Sequence, residues 1–336
     1  MGFLETEQRV VFFKPIQADL SFKKNIYQMD RVSSQKLSTL IKGVPVRDIK
    51  GVLSREISSI AFDSREVKGG DLFIAIHGFK ENGSEFVNEA IARGASAFMT
   101  EMPIKEISGL KLDQGKVTAL CVEDCRGALA SVGAEFYGRP SDQMNVLGIT
   151  GTNGKTTVTY ILDSIYKVSN ERSGIIGTIN YYYGDTNLEA SMTTPESLDI
   201  NRMLCEMNRL KIRQCFLEVS SHSLVLKRVF GMRFSVGIFT NLSRDHLDFH
   251  GTLDDYKEAK KRLFRDNHVE KSVINIDDSV GREIADEFPE NLLTIGIEKK
   301  ADVIAEDCSL SEVGSSFTLK TPFGSCKIKA HLLGMH

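Results

Sequence analysis

Gly148-Ile149-Thr150-Gly151-Thr152-Asn153-Gly154-Lys155-Thr156-Thr157 is a glycine-rich turn that closes the apolar run 146–150. After it, Val158, Ile161, Leu162, Ile165 and Val168 recur at helical spacing, so Lys155 and Thr156 are expected to open a helix buried along that stripe. Strand, glycine turn and helix in that order make a phosphate cradle. The glycines let backbone N–H groups point at phosphate oxygens, the lysine reaches the β and γ phosphates, and a threonine hydroxyl binds magnesium. Gly151, Thr152, Asn153, Gly154, Lys155, Thr156 and Thr157 are therefore the candidate ATP-binding residues. The commoner pattern has glycine six residues before the lysine, where Ile149 stands, so the loop is a variant. A tight turn without ligand is the alternative.

Outward from this turn the pattern repeats. Runs 146–150, 215–219, 234–240 and 272–276 are apolar and of strand length, with helical stretches between them. Continuous apolar strands alternating with helices imply a parallel sheet covered on both faces. Two strand ends carry polar clusters. Leu217-Glu218-Val219-Ser220-Ser221-His222 puts an acid where a phosphate-loop fold faces magnesium and the attacking group, the bland alternative being a solvent-exposed strand-end glutamate. Asn241-Leu-Ser-Arg-Asp-His246-Leu-Asp-Phe-His250-Gly251 follows the next strand, and ligands of open α/β sheets sit beyond such ends. His246, set among acids, is a metal or phosphate candidate; His250 reads as structural.

Thr252-Leu253-Asp254-Asp255 is a capping box that opens a helix with Tyr256, Ala259, Leu263 and Phe264 on its apolar face. Lys260 falls on that face, while Lys257 and Lys261 fall elsewhere. A cation on a buried stripe is either a snorkelling lysine or one with a modification or a bound phosphate. Beyond Ala301, segments 303–305, 316–320 and 326–330 read as a small β appendage.

Upstream, residues 36–140 alternate strand-length runs (57–62, 72–76, 95–99, 117–122) with helical stretches 86–93 and 126–136, the pattern of a small α/β domain. Gly138-Arg139-Pro140-Ser141 is the expected hinge to a second domain, 141–336. Residues 1–35 hold no sustained period and read as an extension, with Met29 as an alternative start.

At 336 residues the chain is long for one core. Its 42 Lys and Arg against 45 Asp and Glu leave a net charge of −3, too balanced for a nucleic-acid or acidic-membrane partner. No run of about 18 apolar residues could span a bilayer. The six cysteines have no paired metal spacing, which fits free thiols in a reducing compartment, so a cytoplasmic monomer is expected.

Four stretches, 150–157, 218–222, 241–251 and Tyr256-x-x-x-Lys260, in that order and spacing, resemble the Mur ligases of peptidoglycan synthesis. These are ATP-dependent enzymes that join amino acids to a UDP-linked muramyl peptide. The 241–251 string, with Asp63-Ser64-Arg65 and Gly70-Asp71-Leu72-Phe73, looks like the branch that adds the third residue, the MurE type. The resemblance implies a substrate-binding first domain and an ATP-binding central domain with a mostly parallel sheet. It implies that Ser64 and its neighbours hold the uridine end, and that Thr193, Thr194, Ser220 and Arg228 bind the muramyl peptide. It further implies that Thr156, Glu218 and His246 hold Mg2+, that Asn241 contacts ATP, and that Lys260 is carbamylated and positions a second magnesium. Lys155, Glu218, His246 and Lys260 are then the catalytic set. The partners implied are UDP-N-acetylmuramoyl-L-Ala-D-Glu, ATP and an amino acid, joined through an acyl phosphate. Met192, where relatives often have asparagine, and Phe79-Lys80-Glu81 depart from the pattern. So does length, since the family's third domain, which selects the amino acid, is not expected within these residues. The rivals are a ligase of the folylpolyglutamate type and a non-catalytic fragment that binds nucleotide or UDP-muramyl peptide.

Overall fold

The computed structural model describes residues 33–331 apart from 79–81, 111 and 113–114. The extension expected at residues 1–35 therefore lies almost wholly outside the described residues, as does the departure at 79–81. A first sheet is built from Val46–Lys50 (β1), Ile60–Ala61 (β2), Leu72–Ile74 (β3), Ala97–Thr100 (β4) and Thr118–Val122 (β5), in the spatial order β1-β5-β4-β3-β2. Strands β2 to β5 are parallel, and β1, which the pattern did not predict, adds antiparallel to β5. Val87–Ala92 (α1) packs on one face and Cys125–Phe136 (α2) on the other, so β3 to β5 are buried throughout, as continuous apolar runs require.

Gly138 and Arg139 take left-handed backbone and lead through a 3-10 turn, Pro140–Gln143, into the second sheet. Its elements, in chain order, are Asn145–Thr150 (β6), Lys155–Val168 (α3), Ser173–Ile176 (β7), Asn180–Tyr183 (β8), Thr186–Glu189 (β9), Ser197–Arg209 (α4) and Gln214–Glu218 (β10). There follow Ser221–Val225 (α5), Val236–Phe239 (β11), Leu247–His250 (α6), Leu253–Arg265 (α7), Ser272–Asn275 (β12), Ser279–Glu287 (α8) and Leu292–Gly296 (β13). Last come Val303–Ser311 (β14), Gly314–Thr321 (β15) and Gly324–Ala330 (β16). The 11 strands run β9-β8-β7-β10-β6-β11-β12-β13-β14-β15-β16. The stretch from β7 to β14 is parallel, with antiparallel strands at both edges.

The segments read as a β appendage form a three-stranded meander, and Val303 pairs in parallel with Ile295, so that it prolongs the main sheet. Two expectations are corrected here. The sheet is unevenly covered: α4, α7 and α8 bury one face, whereas α3 packs on the other and Val236 and Val273 stay partly exposed. Finally, α3 buries only part of the predicted stripe, Val158 and Leu162. Ile161, Ile165 and Val168 are 36%, 55% and 86% exposed, and the helix turns Thr159, Leu162, Asp163 and Tyr166 inward. The polar pair is satisfied beneath the helix: Thr159 donates to the Lys155 carbonyl at 2.8 Å and Asp163 accepts from Ser173 Oγ at 2.6 Å.

Candidate functional site

Strand β6 lies between β10 and β11, and the carboxyl ends of all three converge on the glycine turn. Gly151 has φ +145°, and a Cβ there would overlap the Thr240 hydroxyl at the end of β11, so only glycine fits. Gly154, at φ +85°, caps α3 without a side chain and leaves the helix N-terminus open. The loop is zipped to the residues after β11. Thr152 N donates to the Asn241 carbonyl at 2.8 Å, Asn153 N to Asn241 Oδ1 at 3.1 Å, and Thr240 Oγ1 to the Asn153 carbonyl at 2.6 Å. Asn241 thus spends its side chain on the phosphate loop's own backbone.

Lys155 folds back over the loop, donating to the carbonyls of Gly151 and Thr152 at 2.9 Å each. Burial lowers its pKa, opposed by the Glu218 carboxylate. Glu218 is itself fully buried and accepts from Thr156 Oγ1 at 2.8 Å, Thr178 Oγ1 at 2.9 Å and Thr178 N at 3.1 Å. A Cβ on Gly177 would overlap this carboxylate, so the glycine makes room for it. Thr178, which sequence reasoning passed over, lies just beyond β7, the strand paired with β10. No sequence signal marks it, because that pairing alone brings it to Glu218.

A cavity of about 280 Å³ is lined by residues 152–157 with Thr178, Thr193, Glu218, Ser220 and His246. Lys155, Thr156, Glu218 and His246 therefore meet as expected from the sequence, together with Thr193 and Ser220. Thr193 reaches Thr178 through a 3.1 Å hydroxyl contact. Thr194 is buried behind the cavity and donates to the Glu218 carbonyl at 2.7 Å. Ser220 caps α5 by accepting from Ser223 N at 3.1 Å. Arg228 is held by Glu196 Oε1 at 2.9 Å and by the Thr194 carbonyl at 3.0 Å. Arg126, on α2, meets the other oxygen of Glu196 at 3.3 Å. Ser64 stays with the first sheet, donating to Glu89 Oε2 at 2.9 Å.

His246 is on the exposed loop with φ +50°, and its ring lies 5.0 Å from that of His222, which stacks on Phe249 at 4.1 Å. Burial, then the neighbouring His246, lowers the His222 pKa. His250 has its Nε2 2.9 Å from Ser221 Oγ, and burial pushes its pKa down to about 4. Lys260 is 1% exposed, so it does not snorkel; its Nζ donates to the Gly151 carbonyl at 2.7 Å and sits 4.4 Å over the Tyr256 ring. Burial, with Lys155 nearby, holds its pKa well below the usual lysine range. Lys261, expected to be off the apolar face, is buried as well, because Glu258, Glu283 and Glu287 surround its ammonium.

A phosphate-type loop between strand and helix, with a buried carboxylate on the neighbouring strand end, defines an α/β protein of the phosphate-loop class. Residues 149–336 match the Mur ligase middle domain and residues 56–137 the catalytic domain of the Mur ligase family, and the chain belongs to that family. A UDP-N-acetylmuramoyl-L-alanyl-D-glutamate–2,6-diaminopimelate ligase of Alkaliphilus metalliredigens is 41% identical over 303 residues, covering 89% of this chain and 60% of its own length. The ligase of the same name from Alkaliphilus oremlandii is 44% identical over 286 residues, covering 84% and 57%. A solved structure of a ligase with that name superposes with a TM-score of 0.75 at 26% identity, covering 90% of this chain and 60% of that one. The chain thus spans about 60% of the length of these relatives. Among the described residues no helix is long and apolar enough to cross a membrane.

Proposed function

We propose that this chain supplies the nucleotide- and muramyl-peptide-binding part of an ATP-dependent ligase that adds 2,6-diaminopimelate to UDP-N-acetylmuramoyl-L-Ala-D-Glu. The observation that carries the reading is one cavity holding the phosphate loop, the buried Glu218 and His246, in a chain whose relatives at 41% and 44% identity bear that ligase's name. Residues 36–140 serve as the UDP-muramyl domain and 141–336 as the ATP domain. The six free cysteines are in keeping with a cytoplasmic setting, and the ligase works as a monomer.

In the reaction the D-glutamyl carboxylate attacks the γ-phosphorus of ATP, ADP leaves, and the resulting acyl phosphate is attacked by the amino group to give the amide and phosphate. Anions must meet, so charge neutralisation and positioning carry the rate. Lys155, lifted from its two carbonyls, lies against the β and γ phosphates, and the N–H groups of 152–157 orient them. Thr193 and Ser220 face the same cavity and hold the muramyl peptide there, and Thr194 and Arg228, hydrogen-bonded to each other, complete the set that binds it. Ser64 and its neighbours hold the uridine end.

The residues present fit magnesium. Glu218 is a buried carboxylate whose hydrogen bonds come from uncharged donors, and Thr156 adds a second hard oxygen. Mg2+ is ordinarily held by one or two such groups plus substrate phosphates. Thr156, Glu218 and His246 would hold it, and it would screen the phosphate charge. Lys260 is the residue for carbamylation: burial lowers its pKa and so enlarges the fraction of neutral amine, the form that adds CO2 with loss of a proton, and the carbamate would hold a second Mg2+.

Calorimetry of ATP with Mg2+ tests the reading. The chain should bind ATP, and Lys155→Ala should weaken it about 100-fold, the worth of a charge-assisted contact. Unchanged affinity in that variant overturns the assignment.

A further inference from the structure

Tyr256 reads in the sequence as one apolar residue of α7, yet its 1% exposed side chain touches three of the motifs around the cavity. Its hydroxyl lies 3.1 Å from Thr152 Oγ1 in the phosphate loop. That same Thr152 oxygen accepts from Ser243 N at 3.0 Å and donates to the Ser243 carbonyl at 3.3 Å. A threonine hydroxyl has one proton and two lone pairs, so with its proton on Ser243 the tyrosine must donate, and the node is fully satisfied. The ring of Tyr256 lies under Lys260 Nζ and within 5.0 Å of the His250 ring.

Tyr256 and Lys260 are four residues apart, and so share one face of α7. They seize consecutive residues of the glycine turn, Thr152 through its side chain and Gly151 through its carbonyl. From this we infer that Tyr256 is a positioning residue: its hydroxyl, through Thr152, fixes the phosphate loop against the 240–243 segment so that the loop N–H groups are set before nucleotide arrives. The inference rests on the proposed reading only for the identity of that nucleotide. Preset donors matter because ordering a loop upon binding is subtracted from affinity.

The test compares wild type, Tyr256→Phe, Thr152→Val and the double variant. Tyr256→Phe keeps the ring and its packing and removes only the hydroxyl; Thr152→Val removes the other side of the same contact. Amide hydrogen exchange is followed peptide by peptide, alongside thermal unfolding and ATP calorimetry. The expected result is faster exchange confined to 151–157 and 240–243 in Tyr256→Phe, about 5-fold weaker ATP binding, as one hydrogen bond warrants, and a double variant no worse than Thr152→Val alone. Native exchange in both segments for Tyr256→Phe, or effects that simply add in the double variant, overturns the inference. If the loop responds in this way but wild type binds no ATP, the positioning role stands and the ATP reading falls.

Discussion

The hydroxyl of Thr156 donates to the carboxylate of Glu218 at 2.8 Å, joining the first turn of the phosphate helix to the end of the neighbouring strand. Thr178 supplies Glu218 with a second hydroxyl and a backbone N–H. A fully buried carboxylate is costly unless hydrogen-bonded, and here three donors share the task.

From this follows the behaviour of Glu218→Gln. The amide keeps one oxygen for Thr178 N, and the two threonine hydroxyls can rotate to accept from its NH2. The melting temperature should therefore stay within a few degrees of wild type. ATP affinity should lose most of its dependence on Mg2+, because the anionic ligand is gone. Calorimetry with and without Mg2+ reads this; an undiminished Mg2+ response would remove Glu218 from the metal site.

Lys260 gives a prediction of stability against pH. Its pKa in the folded chain is lowered by burial and by Lys155, so the unfolded state binds more protons between the folded value and about 10.4. Stability contributed at this position is thus smallest below the folded pKa and grows as pH rises toward the unfolded one. Lys260→Met should flatten that rise and raise the melting temperature at neutral pH, since the Gly151 carbonyl keeps Lys155 as a donor at 2.9 Å. In wild type, 13C-labelled bicarbonate should produce a carbamate signal by NMR that Lys260→Met lacks. A signal that survives the substitution would assign the carbamate to another lysine.

His250 carries a second pH term. Burial sets its folded pKa near 4 against about 6.5 unfolded, and His222, Lys260 and His246 oppose its charging while Asp255 favours it. The neutral ring is the stable one, so stability is present above about 6.5 and lost as pH falls toward 4. With solvent screening the loss is on the order of 1 kcal/mol. In His250→Phe, urea melts at pH 5 and pH 7.5 should differ less than in wild type; an equal difference would show that carboxylates alone set the acid limb.

Much of this site was legible because phosphate chemistry demands particular residues at fixed spacing: the glycines of 151–154, Lys155, and an acid at a strand end. Most of the strands that escaped notice have weak or one-sided burial; Ser173–Ile176 is fully buried but spans only four residues, one of them serine and one glycine. Asn180–Tyr183 and Thr186–Glu189 form a hairpin across Gly184-Asp185, a turn signal overlooked amid the polar residues. Leu292–Gly296 is only partly buried along its whole length and so carries no strong apolar pattern. The stripe on α3 misled because periodicity reports apolar spacing, whereas the buried row holds Thr159, satisfied by the Lys155 carbonyl one turn back, and Asp163, satisfied by Ser173 on the next strand. Glu196 and Thr178 were invisible for the same reason: their importance lies in what folds against them.

The last prediction concerns Glu196, whose two carboxylate oxygens are divided between Arg228 and Arg126. Side-chain exposure is 11% for Glu196 and Arg228 and 16% for Arg126, so water does little to screen the cluster. Removing the carboxylate leaves two nearly buried guanidiniums facing each other, and breaking such a group typically costs about 3–5 kcal/mol. The neighbouring Lys227–Asp124 pair spans the same two segments at 2.6 Å, but with both side chains 37% exposed it should contribute under about 1 kcal/mol. Urea unfolding of Glu196→Ala and Lys227→Ala therefore separates the pairs: the first should be strongly destabilised and the second scarcely changed, Lys227 being the partner to remove because Asp124 also caps α2 by accepting from Arg126 N at 3.1 Å. Glu196→Gln should fall between them, because it keeps an acceptor for one arginine. Arg228 also loses its orientation in Glu196→Ala, so UDP-muramyl dipeptide should bind more weakly even at a temperature where the variant is folded. Equal destabilisation by the two alanine substitutions would mean that the Glu196 cluster is as well solvated as the surface pair, and the case for its bracing Arg228 would fail.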